Sequence, residues 1–193
     1  MQNSIERPVS IKEFMEVYRK KDNGLQYELI DGFVYMAPSP STAHQSLSAF
    51  LLLKIGNFLS GKKCRVFHAP YDVYLCEDEM NTEANTVVQP DLLVVCDKNK
   101  IKSDGCYGSP DFIIEILSPS TQGRDLDVKL ELYRINGVRE YWIVDPMKNK
   151  IIVYTFAADK SIKGRNIFNF DESVKLSSLD NFEIDFSEFI SEY

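Results

Sequence analysis

Three ionisable residues stand where charge is expensive. Asp91 opens the run Pro90-Asp91-Leu92-Leu93-Val94-Val95. Glu115 interrupts Phe112-Ile113-Ile114-Glu115-Ile116-Leu117, and Lys129 follows inside Asp125-Leu126-Asp127-Val128-Lys129-Leu130. A carboxylate in the middle of a buried apolar strand carries a large desolvation penalty. It persists when something positive faces it, and a metal ion is the commonest strong partner. Two such acids and a lysine are the parts needed to hold a divalent cation and activate water against a phosphodiester.

Each residue also has a plainer reading. Strand alternation puts Glu115 on one face with Ile113 and Leu117, and Phe112, Ile114 and Ile116 on the other. Both faces are apolar, so Glu115 is not an ordinary solvent-side residue, although a strand-end carboxylate paired with a lysine or arginine also fits. Pro90 fixes the entry to its strand and removes one ladder bond, so Asp91 can be read as a strand cap. On adjacent strands the two carboxylates would lie close together, and like charges at short range need a cation between them. Lys129 lies four residues after Asp125, the spacing of a surface ion pair worth about 0.3–0.5 kcal/mol. Glu28 shares a face with Ile30 and falls opposite Tyr35, where a hydrogen bond to the phenol would account for it. His44, in the first turn of the long helix, is more often a helix-start residue than a catalytic base. Asp111 follows a proline as Asp91 does, but along one strand it lies about 13 Å from Glu115, too far for one metal.

The elements that must position these groups are legible in outline. Ser10-x-x-Glu13 is a capping box ahead of a helix from about Ile11 to Lys20. Tyr27–Ile30 and Phe33–Met36 form a hairpin across Asp31-Gly32. Thr42-x-x-Gln45 reads as a second capping box, opening a helix to about Ser60 that Gly61 stops. That helix is apolar on most of its circumference and should be sandwiched, with a sheet on one side. Strand material follows at Arg65–His68 and Asp72–Leu75, then a polar loop from Glu77 to Thr86, then an apolar segment from Val87 to Cys96. Asp111 to Leu117 is another strand. A helix runs from Arg124 or Asp125 to Asn136, stopped by Gly137. Glu140–Val144 and Ile151–Phe156 form a second hairpin. The tail shows strand alternation and ends in a helix near Phe186 to Tyr193. This order predicts an α/β fold with a central mixed sheet flanked by helices. One domain is expected over residues 1–193, its core at about 11–156 and a C-terminal strand and helix extension at 157–193.

Bulk properties narrow the function. The 193 residues are 44% hydrophobic and 26% charged, which is ordinary soluble globular material. No apolar run is long enough to span a membrane and Met1 to Arg7 has no signal-peptide pattern, so a cytoplasmic location is expected. Cys64, Cys76, Cys96 and Cys106 form no Cys-x-x-Cys pair and only two histidines exist, which argues against zinc. In a reducing compartment these cysteines read as free thiols. A net charge of −7 counts against a broad electrostatic footprint on nucleic acid, although a metal-binding acidic cleft adds negative charge of its own. The basic clusters, at Lys62-Lys63-Cys64-Arg65, at Lys98, Lys100 and Lys102, and at Lys160, Lys163 and Arg165, read mainly as solvated loop charge. There is no Gly-x-Ser-x-Gly nucleophile elbow and no glycine-rich phosphate loop.

A set of ordered motifs carries a resemblance. They are Tyr27-Glu28-Leu29-Ile30-Asp31-Gly32, Gln89-Pro90-Asp91, Glu115-Ile116-Leu117-Ser118-Pro119-Ser120-Thr121, Asp125-x-x-x-Lys129-x-x-x-Tyr133 and Gly137-Val138-x-Glu140-Tyr141-Trp142-Ile143-Val144-Asp145-Pro146. From about Ile11 to Phe156 the sequence resembles the Uma-type family of restriction-endonuclease-like proteins, itself similar to the PD-(D/E)XK nuclease superfamily. The resemblance implies a restriction-endonuclease-like αβββαβ core. It maps Asp91 onto the Pro-Asp aspartate and Glu115, 24 residues later, onto the acid of the Glu-x-Lys strand. Leu117 stands where the lysine would be, and the family places that lysine on the following helix, here Lys129. Glu28 matches an early glutamate and His44 a histidine at a helix start.

The implied activity is Mg²⁺-dependent (with Mn²⁺ as a substitute) endonuclease cleavage of DNA phosphodiester bonds. Asp91, Glu115, the Ile116 carbonyl and Glu28 would form the metal site. Lys129 would orient water or stabilise the transition state, and His44 would touch a phosphate or support Glu28. A homodimer would suit a double-strand cut, and no membrane partner is expected. The alternatives are a catalytically silent nuclease-fold protein that binds nucleic acid or a protein partner, and a metal-dependent hydrolase of another phosphoester.

Overall fold

The apolar segment from Val87 to Cys96 is two strands, and they belong to different sheets. Pro90 lacks the amide needed to continue a ladder, and the chain turns there from one sheet into the other. In the computed structural model, residues 7–21, 25–37, 39–76, 85–118, 127–180 and 182–191 are described. The elements in chain order are α1 (Ile11–Val17), β1 (Gln26–Ile30), β2 (Phe33–Ala37), α2 (Thr42–Leu59), β3 (Arg65–His68), β4 (Val73–Tyr74), β5 (Val87–Val88) and β6 (Leu92–Val95). After a short 3₁₀ turn at Lys98–Lys100 come β7 (Cys106–Tyr107), β8 (Phe112–Ile116), α3 (Lys129–Asn136), β9 (Glu140–Asp145), β10 (Lys150–Phe156), β11 (Ile162–Asn169), β12 (Ser173–Leu176), β13 (Phe182–Asp185) and α4 (Ser187–Ser191).

The expected single central sheet is resolved into two larger sheets and a hairpin. Six strands form one mixed sheet in the order β11-β10-β9-β8-β6-β3, with β8 and β9 parallel. Five short strands form a second, β2-β1-β5-β4-β7, and β12 pairs with β13. The first hairpin turns as its sequence demands. Asp31 and Gly32 both take positive φ, 50° and 82°, the geometry that matches a two-residue turn to strand twist. Short strands such as β7 carry no periodic signal and were not visible in the sequence.

Two expectations about helix starts and thiols need correction. Ser41, not Thr42, caps α2: its extended backbone lets Oγ accept from the His44 amide at 3.2 Å, and Thr42 becomes the first helical residue. Ser10 does cap α1, accepting from the Glu13 amide. Cys64 and Cys96 are a disulfide, with Cα atoms 4.0 Å apart. They flank β3 and β6, whose register pairs Arg65 with Val95, so strand pairing sets the two cysteines opposite each other. Cys76 and Cys106 are free and buried. Residues 119–126, which include the expected start of α3 and Asp125, lie outside the described residues, as does most of the Glu77–Thr86 loop.

Helix α2 is sandwiched as its apolar circumference required. Leu47, Phe50, Leu51, Ile55 and Leu59 bury against Leu92, Val94, Phe112 and Ile114 of the large sheet and Trp142 of β9. The C-terminal extension closes the other side, where Phe182 stacks on Phe58 and Phe186 packs against Phe50 and Trp142. Glu140 pins that extension. Fully buried, it accepts from Trp142 Nε1 at 2.8 Å and from the Ser178 amide at 2.7 Å. Burial pushes its carboxyl above the usual range, and those two donors pull the other way. Glu140→Ala leaves both donors without an acceptor and is expected to lower unfolding stability by about 2 kcal/mol. Urea unfolding checks this, and an unchanged midpoint and slope would contradict it.

Candidate active site

The large sheet brings the two acids together by register. Strands β6 and β8 are antiparallel with Leu92 opposite Ile114, so one further residue sets Asp91 beside Glu115. Asp91 is tied to the residue after Glu115: the Ile116 amide donates to Asp91 Oδ2 at 2.7 Å. Asp91 Oδ1 lies 3.2 Å from His44 Nε2 at the start of α2. The sequence left His44 between phosphate and Glu28, and the structure places it on Asp91.

Glu115 lies on the sheet face lined by Ile113, Leu117, Leu132 and Tyr133. There it meets α3. Lys129 Nζ donates to Glu115 Oε1 at 2.8 Å and to Glu28 Oε1 at 3.0 Å. Glu28 arrives from β1 of the smaller sheet and also accepts from the Gln89 amide at 2.9 Å. Glu28, Glu115 and Lys129 are 3%, 4% and 2% exposed, so Lys129 is a buried ammonium and not the surface charge its helix pattern suggests. Removing either partner from such a pair strands a buried charge, while the intact cluster is held by short hydrogen bonds to both carboxylates.

Tyr133 is a member that residue patterning did not assign a role. One turn after Lys129, it donates its hydroxyl to the same Glu115 Oε1 at 2.7 Å and packs edge-on to Tyr141. The i,i+4 spacing from Lys129 is the signal that could have found it. Burial, reinforced by the Glu115 charge, holds the phenol protonated well above its ordinary range, so it remains a donor to Glu115 at neutral pH. Tyr133→Phe is expected to cost about 1 kcal/mol of stability and to loosen Glu115. A thermal melt unchanged within a degree would argue against that bond.

Asp111 stands apart, accepting from the Cys96 amide and pairing with Arg139. Among the described residues no group of three or more His, Cys, Asp or Glu side chains is arranged to hold a metal. What the site does offer is Asp91 beside Glu115, with the Ile116 backbone between them. These are hard oxygen donors, and Mg²⁺ needs only one or two carboxylates when water and phosphate complete its shell. The donor chemistry therefore fits that ion, with Glu28 committed to Lys129 and Gln89.

A family model described as "Putative restriction endonuclease", Uma2, matches residues 11–187. The chain belongs to the Uma2 family. A relative in Synechocystis sp., the uncharacterised protein slr1290, is 29% identical over 130 residues, 67% of this chain. The match spans 65% of that relative's length, just under two thirds. A crystal structure from Anabaena variabilis, of a protein described as a "putative nuclease" of DUF820, superposes with a TM-score of 0.75 at 18% identity, over 95% of this chain and 98% of that one. The Uma2 chain thus has the fold of that protein, a mixed α/β architecture with sheets flanked by helices. Among its described residues no helix is long and apolar enough to cross a membrane.

Proposed function

We propose that the protein is a divalent-metal-dependent endonuclease that hydrolyses DNA phosphodiester bonds, with Mg²⁺ as cofactor and Mn²⁺ as a substitute. The observation that supports this reading best is the convergence of Glu28, Glu115 and Lys129 from three separate elements, with Asp91 beside Glu115. Family membership supports nuclease chemistry, and the choice of metal and of DNA is ours.

Asp91, Glu115 and the Ile116 carbonyl are the groups that would hold the ion, with Glu28 reaching it through water. When bound, the ion supplies a water of lowered pKa and offsets phosphate charge. The chain's own residues do the rest. Lys129 places a positive charge beside Glu115, where negative charge develops on the phosphoryl oxygens, and its ion pairs fix that charge before substrate arrives. Tyr133 and the Ile116 amide orient the two carboxylates. His44 braces Asp91 from the helix side. Apolar side chains around Glu115 exclude bulk water, which strengthens each of these interactions.

Incubation of supercoiled plasmid with the protein and Mg²⁺ or Mn²⁺ tests the reading, with chelator as control. Nicked or linear products that vanish on chelation are expected. Retarded but intact DNA would favour the non-cutting nuclease-fold alternative, and neither outcome with either metal would remove DNA as the substrate.

A further inference from the structure

Glu28 is held from behind by groups to which the proposed chemistry gives no part. The Gln89 amide donates to Glu28 Oε1, and the Gln89 side-chain nitrogen donates to Asp72 Oδ1 at 2.8 Å. The Arg19 guanidinium pairs with that same Asp72 oxygen. Arg19 lies just beyond α1, Asp72 just before β4 and Gln89 between β5 and Pro90, so three element ends meet there. Arg19 and Asp72 are largely buried.

The orientation of the Gln89 amide is informative. Its Oε1 is buried with no hydrogen-bond partner among the described residues. An amide that leaves its own acceptor unsatisfied while its nitrogen stays on a carboxylate is oriented by that carboxylate. Asp72 in turn is fixed by Arg19. Gln89 lies past the last paired residue of β5, and the proline after it has no N–H, so ladder bonds do little to hold its backbone. The side-chain anchor fixes where the Gln89 N–H points, and that N–H fixes Glu28.

We propose that Arg19, Asp72 and Gln89 form a positioning relay that sets Glu28 and, through their shared ion pair, Lys129. None of the three needs to touch substrate; they are positioning residues. The proposal rests on the nuclease reading for its effect on rate, but the relay itself can be read without activity.

The test is a polarity swap. Gln89→Glu sets two carboxylates against each other, and Asp72→Asn added to it restores one donor and one acceptor in reversed order. Two readouts are taken on the full-length protein. One is kcat and KM for plasmid cleavage in Mg²⁺. The other is hydrogen exchange of the residue 89 amide in metal-free protein, referred to Val87 and Val88. Gln89→Glu is expected to lower kcat about tenfold with KM changed less than about twofold, and to speed exchange at residue 89 about tenfold. The double variant should recover most of both. Should Gln89→Glu fail to fold, Arg19→Met removes the outer anchor and should speed that exchange about threefold. Wild-type exchange at residue 89 in folded Gln89→Glu or Arg19→Met, or a folded double variant that recovers neither readout, overturns the relay. An inactive wild type overturns the nuclease reading instead, and the exchange measurement still decides the relay.

Discussion

Lys129→Met is expected to abolish plasmid cleavage while Asp91 and Glu115 keep their capacity for metal. The substitution keeps an unbranched apolar side chain of similar reach and removes the ammonium. Loss of one preorganised donor at a site of developing charge typically costs about 10²–10³ in rate. The folded protein also suffers, because Glu28 and Glu115 are left facing each other, each under 5% exposed, with their cation gone. Breaking a buried ion pair from one side costs about 3–5 kcal/mol. For a chain of this size that lowers the melting temperature by roughly 10 °C. Added Mg²⁺ should return part of that loss, since a divalent ion can offset the stranded carboxylates. Arginine is a poor substitute, because its planar fork cannot occupy the position of a compact ammonium bridging two oxygens. A folded Lys129→Met protein that cuts at the wild-type rate would falsify the assignment.

Asp91→Ala should remove both cleavage and the response to metal. In the native protein, Mg²⁺ or Mn²⁺ at a hundredfold its dissociation constant is expected to stabilise the fold by about 2.7 kcal/mol, an upward shift of about 5–10 °C. The variant keeps Glu115 but loses the neighbouring carboxylate, and its melting temperature should not respond to either ion. Its metal-free baseline falls too, by about 1–3 kcal/mol, because the Ile116 amide and His44 lose their acceptor. Differential scanning fluorimetry with and without metal separates these effects. If neither ion moves the wild type, the metal site is wrong, whatever the baseline does.

How much of this was legible depended on the range of the interactions concerned. Glu115 announced itself, because an acid inside five apolar residues breaks a strand pattern that nothing else disturbs. The Asp31-Gly32 turn and the Ser10 cap were equally plain, since both are fixed by residues two or three apart. Lys129 was misleading: the sequence spacing offers Asp125 as a surface partner, and only its partners Glu28 on β1 and Glu115 on β8, 101 and 14 residues away, show that it is buried. The split of Val87–Cys96 into two sheets was not visible, because Pro90 permits an edge strand as readily as a crossing. The Cys64–Cys96 bond needed the register of β3 against β6, which no local spacing contains. His44 and Gln89 belonged to recognisable motifs, yet their partners were decided by how two sheets meet.

That meeting is made by a tripeptide. Gln89 holds Glu28, which belongs to the smaller sheet, and two residues later Asp91 takes the Ile116 amide of the larger one. Pro90 between them has φ fixed by its ring. The gap between the two halves of the site is therefore not left to packing alone; it is measured out by one short, stiff span of backbone.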